Sequence, residues 1–192
     1  MAKLTIDYIT SLDGFGAAEG WPGLWGMGGP EYLGWLGEDA EQEYRLIMGA
    51  ATYRLFAEMS ESGAEGIDDL TARPKLVFSR SLTGPPAWDN TTMVEQDAVE
   101  AVRILKEDDG LPLRTLGSPS LCRSLITAGL VDRYRVVVFP VVNGATGRDR
   151  IYDGWPDVAL EVVNSRTFDG ALHLFECVPT VLAGPPDSTD AE

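Results

Sequence analysis

The sequence predicts an α/β fold with three layers, a doubly wound, mainly parallel sheet closed at one side by an antiparallel C-terminal hairpin. Three observations carry this. Short apolar runs rich in Val, Ile, Leu and Phe alternate with amphipathic helical patterns through the middle of the chain, as parallel βαβ crossovers require. Gly or small polar residues stand at the run ends, where strand must turn into helix. Near the C-terminus LEVVNSRTF and ALHLFECV flank Asp169-Gly170, a strong signal for a tight hairpin.

The elements follow in order. LTIDYI (Leu4 to Ile9) is rich in strand formers and runs into SLDGFG, a turn sequence that can open a site loop. The region from Gly20 to Gly37 holds Trp21, Trp25 and Trp35 among seven glycines and two prolines. Aromatics on such a segment either staple it to the core or line a flat pocket. Pro30 to Glu43 reads as a helix with an acidic outer face, and RLIMG (Arg45 to Gly49) as a short buried strand that passes through Gly49 into a helix from Ala50 to Met59. Glu61 to Arg73 is expected as a polar loop, Lys75 to Phe78 as a buried strand ending in Ser79-Arg80-Ser81, and TTMVEQ as a further short strand. Ala98 to Asp108 spaces Val99, Val102 and Leu105 as one helical face. PLRTLG is the next strand, LCRSLITAGL a helix stopped by Gly129, and Val131 to Val142 the longest strand pattern. Residues 1 to 179 are expected as one domain and residues 180 to 192 as a disordered acidic tail.

Composition excludes some functions. A net charge of -15, from 15 basic and 30 acidic side chains, argues against nucleic-acid binding, which draws most of its affinity from Lys and Arg on phosphate. No run of about 18 apolar residues predicts a membrane span. The start MAKLTIDYITSLDG lacks the zones of a signal peptide, so a cytoplasmic protein is expected. Cys122 and Cys177 lie far apart without Cys or His neighbours, which indicates buried thiols and neither metal nor disulfide. The one histidine, His173, falls in a strand pattern, and G-x-S-x-G is missing, so a Ser-His-Asp hydrolase is disfavoured.

Three strand ends are small and polar: Gly49 to Thr52, Ser79 to Ser81, and Gly117 to Ser120. In doubly wound sheets ligands bind outside the carboxyl ends of strands, against helix N-termini. The third, within TLGSPSL, reads either as a capped helix start, with Ser118 as cap and Pro119 as first helical residue, or as a phosphate cradle.

SLDGF, MGAATY, KLVFSRSL and LGSPSLCRSLITAGLVDRYRVVVFPVVNG, in this order and spacing, resemble the dihydrofolate reductase-like family related to the reductase domain of the bifunctional riboflavin-biosynthesis deaminase-reductase. The resemblance covers nearly all of Lys3 to Val178. It implies a dihydrofolate reductase-like fold that binds NADPH and transfers hydride to a small planar heterocyclic (pyrimidine- or pterin-like) or carbonyl substrate, or a noncatalytic module that keeps the binding fold. It also implies a homodimer, for which Val131 to Val142 offers a strand or face.

Carried over residue by residue, Gly49, Ala50, Ala51 and Thr52 match the segment facing the cofactor phosphates. Phe78, Ser79 and Arg80 match the strand end beside the adenosine ribose. Gly117, Ser118, Pro119, Ser120 and Leu121 match the turn against the pyrophosphate and nicotinamide half. Ala50 replaces the family's Arg, which leaves NADH open beside NADPH and makes Arg80 the candidate partner of the 2′-phosphate. Ser118 stands where the family often has a second Gly. On the substrate side Asp13 is the candidate catalytic group, against a turn-forming role before Gly14, and Trp25 and Tyr53 are candidate pocket residues, against core packing. No pattern selects a carboxylate among Glu31, Glu38, Asp39, Glu41 and Glu43.

Overall fold

The structure is a computed structural model that describes residues 1–64, 66–108 and 110–184. Its strands are β1 (Leu4–Ser11), β2 (Phe15–Ala18), β3 (Arg45–Gly49), β4 (Lys75–Phe78), β5 (Thr91–Val94), β6 (Leu113–Thr115), β7 (Arg133–Phe139), β8 (Gly147–Arg150), β9 (Val158–Phe168) and β10 (Leu172–Val181). The α-helices are α1 (Pro30–Ala40), α2 (Ala50–Glu61), α3 (Asp68–Ala72), α4 (Ala98–Glu107) and α5 (Pro119–Thr127).

Eight strands form one sheet in the order β5-β4-β3-β6-β1-β7-β10-β9, parallel from β5 to β7 and antiparallel through β10 and β9. The chain steps outward from β1 to β3, β4 and β5, then returns through α4 to β6 and through α5 to β7. Right-handed crossovers taken in opposite directions place their helices on opposite faces. Accordingly α4 and α5 cover one face, where Val102, Leu121, Cys122, Leu125 and Ile126 pack on Leu4, Ile6 and Tyr134. On the other face Tyr53 and Ala57 of α2 pack on Leu46, Met48 and Val77, and Tyr32 of α1 packs with Trp25, Phe139 and Phe168. Alternation along each strand explains the split: Leu46 and Met48 point one way and Ile47 the other. Each such buried side chain contributes roughly 1.5–3 kcal/mol relative to exposure.

The predicted architecture is the observed one, with local corrections. The first helix ends at Ala40 rather than Glu43, and the loop expected over 61–73 contains α3. A second sheet, β2 with β8, was not foreseen: FGAA and GRDR are too short and too poor in β-branched residues to signal strands. The hairpin is longer than its sequence pattern, because β10 runs to Val181 and takes in the first two residues assigned to the tail; residues 185 to 192 of that tail lie outside the described residues. Residues 133 to 139 of the stretch expected to offer a dimer edge form β7, flanked on both sides by β1 and β10. The edge strand on this side of the sheet is β9, and Leu160 and Val162 on β9 share a face with Phe175 and Val181 on β10, all at least partly open to solvent.

α1 is anchored at both ends. Arg135 on β7 binds Asp39 of α1 and Asp7 on β1, and Arg114 on β6 binds the same Asp39. Arg114 and Arg73 also sandwich the Tyr44 ring, at 3.8 and 3.9 Å from its centroid. At the N-terminus Asp169 in the β9–β10 turn accepts from the backbone N–H groups of Glu31 and Tyr32, both at 3.1 Å, while its own N–H donates to Glu31 Oε2. The helix acids expected as a solvated face therefore include one, Asp39, that is buried and doubly paired.

Candidate functional site

Strands β4, β3 and β6 are adjacent and parallel, so the three polar strand ends stand side by side on one edge of the sheet. At the central end, Gly49 closes β3 and leads into α2, whose first turn begins Ala50-Ala51-Thr52. At the neighbouring end, Gly117 and Ser118 both adopt left-handed backbone, φ 53° and 63°, before Pro119 opens α5. Gly117 is required twice over: its φ disfavours a side chain, and a Cβ there would press on Thr52 Oγ1 at 3.3 Å.

Ser118 does not use its hydroxyl to cap its own helix. Its Oγ accepts from Gly49 N–H at 2.9 Å and donates to Thr52 Oγ1 at 2.8 Å, with the Leu116 carbonyl at 3.2 Å. The expected side-chain cap is thus replaced by a cross-tie between the two turns. A left-handed serine is uncommon, and the cross-tie is what holds it there.

The consequence is electrostatic. Of the five α-helices among the described residues, α1 is met by Asp169 and Glu31 at its N-terminus, α3 carries Asp68 and Asp69 in its first turn, and α4 is capped by Asp97. α2 and α5 have no side-chain cap bond and no acid in the first turn. In a chain with twice as many acids as bases, these two helices alone among the described ones have neither a carboxylate on the N-terminus nor an acid in the first turn, and they are the two tied together by Ser118 and Thr52. Such ends attract anions through free N–H groups and the helix dipole.

On the far side of β3, a cleft of about 210 Å³ lies at the ends of β4 and β5. Phe78, Ser79 and Arg80 line it together with Glu95, Gln96 and Asp97, three residues that sequence reasoning did not single out. Ser79 Oγ accepts from the N–H groups of Ser81 and Leu82, so this hydroxyl shapes the turn. Arg80 is exposed, and its Nε donates to the Glu95 carbonyl at 3.3 Å.

The remaining candidates separate. Leu121 is buried in the core under α5, and Ser120 is exposed with its carbonyl accepting from Ser124 Oγ. Tyr53 is core: its ring is buried under α2 and its hydroxyl accepts from Ala87 N–H at 2.8 Å. Asp13 is a turn residue, the alternative its sequence allowed. Its carboxylate accepts from Ser11 Oγ at 2.7 Å and from the N–H groups of Asn143 and Gly144 at 3.0 and 2.9 Å. The Ser11 bond, then the Asn143 bond, hold its carboxyl down to about 2, so it is ionised near neutrality and donates no proton there.

Trp25 does both things its sequence allowed. It is buried, its ring centroid 5.0 Å from that of Phe139 and its Nε1 donating to Asn143 Oδ1 at 2.7 Å, and its other surface lines a second cavity of about 150 Å³ with Ile9, Ala17, Trp21 and Leu24. Cys122 and Cys177 are buried free thiols, and burial pushes Cys122 up to about 11. His173 is an exposed strand side chain beside Thr167. Among the described residues no group of three or more His, Cys, Asp or Glu is placed to hold a metal ion, and no helix is long and apolar enough to cross a membrane.

The family model described as the RibD C-terminal domain matches residues 2–174. The chain belongs to the RibD C-terminal domain family. Among curated proteins it is 24% identical over 176 residues to the uncharacterized protein YyaP of Bacillus subtilis (strain 168), covering 88% of this chain and 91% of that protein. Among solved structures, a putative riboflavin biosynthesis protein from Shewanella sp. PV-4 superposes with a TM-score of 0.69 at 19% identity, over 94% of this chain and 99% of that one. A diaminohydroxyphosphoribosylaminopyrimidine deaminase/5-amino-6-(5-phosphoribosylamino)uracil reductase from Thermotoga maritima superposes at 0.63 and 15% identity, over 93% of this chain and 57% of that longer one. These likenesses establish the RibD reductase, dihydrofolate reductase-like fold.

Proposed function

We propose that this RibD C-terminal domain is a cytoplasmic reductase, one domain over residues 1–179, that binds NADPH across the ends of β4, β3 and β6. The bound reduced nicotinamide supplies a hydride to a small planar heterocyclic (pyrimidine- or pterin-like) or carbonyl acceptor. One observation carries the reading: α2 and α5 present two acid-free N-termini, cross-tied by Ser118 and Thr52, in a molecule of net charge -15. A pyrophosphate is the doubly anionic group that such a pair fits.

In this reading the turn Gly49 to Thr52 receives one phosphate on the backbone N–H groups of Ala50, Ala51 and Thr52, the Gly49 N–H being held by Ser118 Oγ, and the turn of Gly117, Ser118, Pro119 and Ser120 receives the other on the N–H groups of Gly117, Ser118 and Ser120. The cleft bounded by Phe78 and Ser79 takes the adenosine, and Arg80 supplies the cation for the 2′-phosphate that Ala50 does not. Trp25 and the loop before α1 bound the substrate, and with Asp13 locked as a carboxylate the acceptor's proton comes from solvent. The partner is a second copy, covering the apolar β9–β10 face that holds Leu160, Val162 and Phe175. NADPH fluorescence titrated with purified protein tests the core of the reading; if neither NADPH nor NADH binds at millimolar concentration, the reading is refuted.

A second reading, binding without turnover, is favoured by the same state of Asp13, the candidate catalytic group, and by Ala50 in place of Arg. It predicts tight NADPH binding with no NADPH oxidation across a broad panel of heterocycles and carbonyls.

A further inference from the structure

Between the β1–β2 corner and the glycine-rich loop before α1 lies the 150 Å³ cavity walled by Ile9, Ala17, Trp21, Pro22, Leu24 and Trp25. None of its lining side chains carries a charge, and of the two indole N–H groups among them Trp25 Nε1 is already given to Asn143 Oδ1. Arg148, which pairs with Ala17 across β2 and β8, is held by Glu19 at 2.7 Å. Arg150 stands over the Phe15 ring, its guanidinium carbon 4.7 Å from the centroid. A phosphate in this cavity would leave water with no cation among the lining side chains to receive it.

The walls favour a flat apolar guest instead. Trp21 is 46% exposed although it faces the cavity, so a guest covering it removes a large aromatic surface from water. Leu24 and Trp25 are consecutive non-glycine residues in left-handed backbone, φ 53° and 48°, an uncommon conformation in the loop that walls the cavity. Ile9 stands on β1, beside the strand β6 that carries the Gly117 turn, so the cavity adjoins the end of the sheet where the dinucleotide is placed.

We infer that this cavity is the site of an uncharged aromatic ring of the substrate, stacked on Trp21, and that the substrate carries no phosphate or other anionic group at that end. The inference rests on the reductase reading for what the ring is there to do, and on the cavity alone for what binds. Calorimetric titration of the full chain with 2-naphthol and with 2-naphthyl phosphate, each with and without NADPH, tests it. Naphthol is expected to bind at least about tenfold tighter than its phosphate ester, and Trp21→Ala to weaken naphthol by about tenfold, the worth of one aromatic contact, while NADPH affinity stays within about twofold. Equal or tighter binding of the phosphate ester overturns the inference, as does no heat with naphthol up to its solubility, or naphthol binding that ignores Trp21→Ala. If naphthol behaves as expected and NADPH does not bind, the reductase reading falls and the cavity assignment stands; if NADPH binds and naphthol does not, the reverse holds.

Discussion

Ser118 Oγ donates to Thr52 Oγ1 across 2.8 Å, joining residues 66 apart in sequence at the start of two different helices. The same oxygen accepts from Gly49 N–H, so one hydroxyl fixes the relative position of the α2 and α5 N-termini. It does so from a left-handed backbone at φ 63°, where glycine would sit without strain.

Replacing Ser118 separates the two contributions. Ser118→Ala loses the cross-tie and keeps the strain; Ser118→Gly loses the cross-tie and removes the strain. Both should weaken NADPH binding, because both unpin the two turns. In urea denaturation Ser118→Ala should be less stable than Ser118→Gly by about 1 kcal/mol, the left-handed penalty of a residue with a Cβ. Equal stabilities would mean that the turn relaxes out of the left-handed region.

How much of this was legible in the sequence depends on range. The three polar strand ends were legible because each is a local event: a small or hydroxylated residue at the end of an apolar run, read without knowing what lies opposite. The direction of the Ser118 side chain was not, since its partners come from a turn 66 to 69 residues away. Asp39 was hidden among five helix acids because what distinguishes it, Arg135 and Arg114, arrives from β7 and β6. A signal for it did exist in Asp132-Arg133-Tyr134-Arg135, where a charge alternates into the most buried strand and demands a partner. Tyr53 and Asp13 took their bland alternatives for a related reason: the backbone groups that occupy them belong to loops at residues 87 and 143 to 144.

Asp39 should govern the acid limb of stability. Burial alone would raise its carboxyl; the hydrogen bonds and charge of Arg135, and then Arg114, outweigh this and hold it below the usual carboxylate range. Its folded pKa is therefore depressed, so the unfolded chain binds the proton first as pH falls. The contribution is fully present above the ordinary carboxylate value near 3.8 and is lost as pH drops through the folded value. Asp39→Asn leaves two buried guanidinium groups without their shared carboxylate and should cost about 3–5 kcal/mol near neutrality. Stability followed by circular dichroism from pH 5 to about pH 2 should fall less steeply in this variant than in the native chain, and equal slopes would remove Asp39 from the acid transition.

Arg80 should decide between NADPH and NADH. It is exposed at the rim of the β4–β5 cleft, so Arg80→Ala should change stability by no more than about 0.5 kcal/mol. If its guanidinium meets the 2′-phosphate, NADPH affinity should fall about tenfold while NADH affinity holds, a charge-assisted bond being worth roughly 1.5–3 kcal/mol. Ala50→Arg should move the ratio the other way. A ratio unchanged by Arg80→Ala would assign the 2′-phosphate to another group.

One substitution at two glycines should give opposite signs. Gly34 lies inside α1 with nothing within 4 Å of an added Cβ, so Gly34→Ala gains helix propensity and should stabilise by about 1 kcal/mol. Gly29 precedes the same helix at φ -87°, a backbone any residue accepts, yet a Cβ there would stand 2.5 Å from each Asp169 carboxylate oxygen. Those oxygens accept from Glu31 and Tyr32 and are the N-cap of α1, supplied from 137 to 138 residues away by the β9–β10 turn. Gly29→Ala must push Asp169 off the helix end, and the loss should resemble that of Asp169→Ala, about 1–2 kcal/mol for a lost cap. If the two losses share that cause, the double variant should be no less stable than the worse single one, because once the carboxylate is gone the Cβ has nothing left to strike. Thermal melts of the four proteins decide it, and losses that simply add in the double variant would show that Gly29 is needed for a reason other than Asp169.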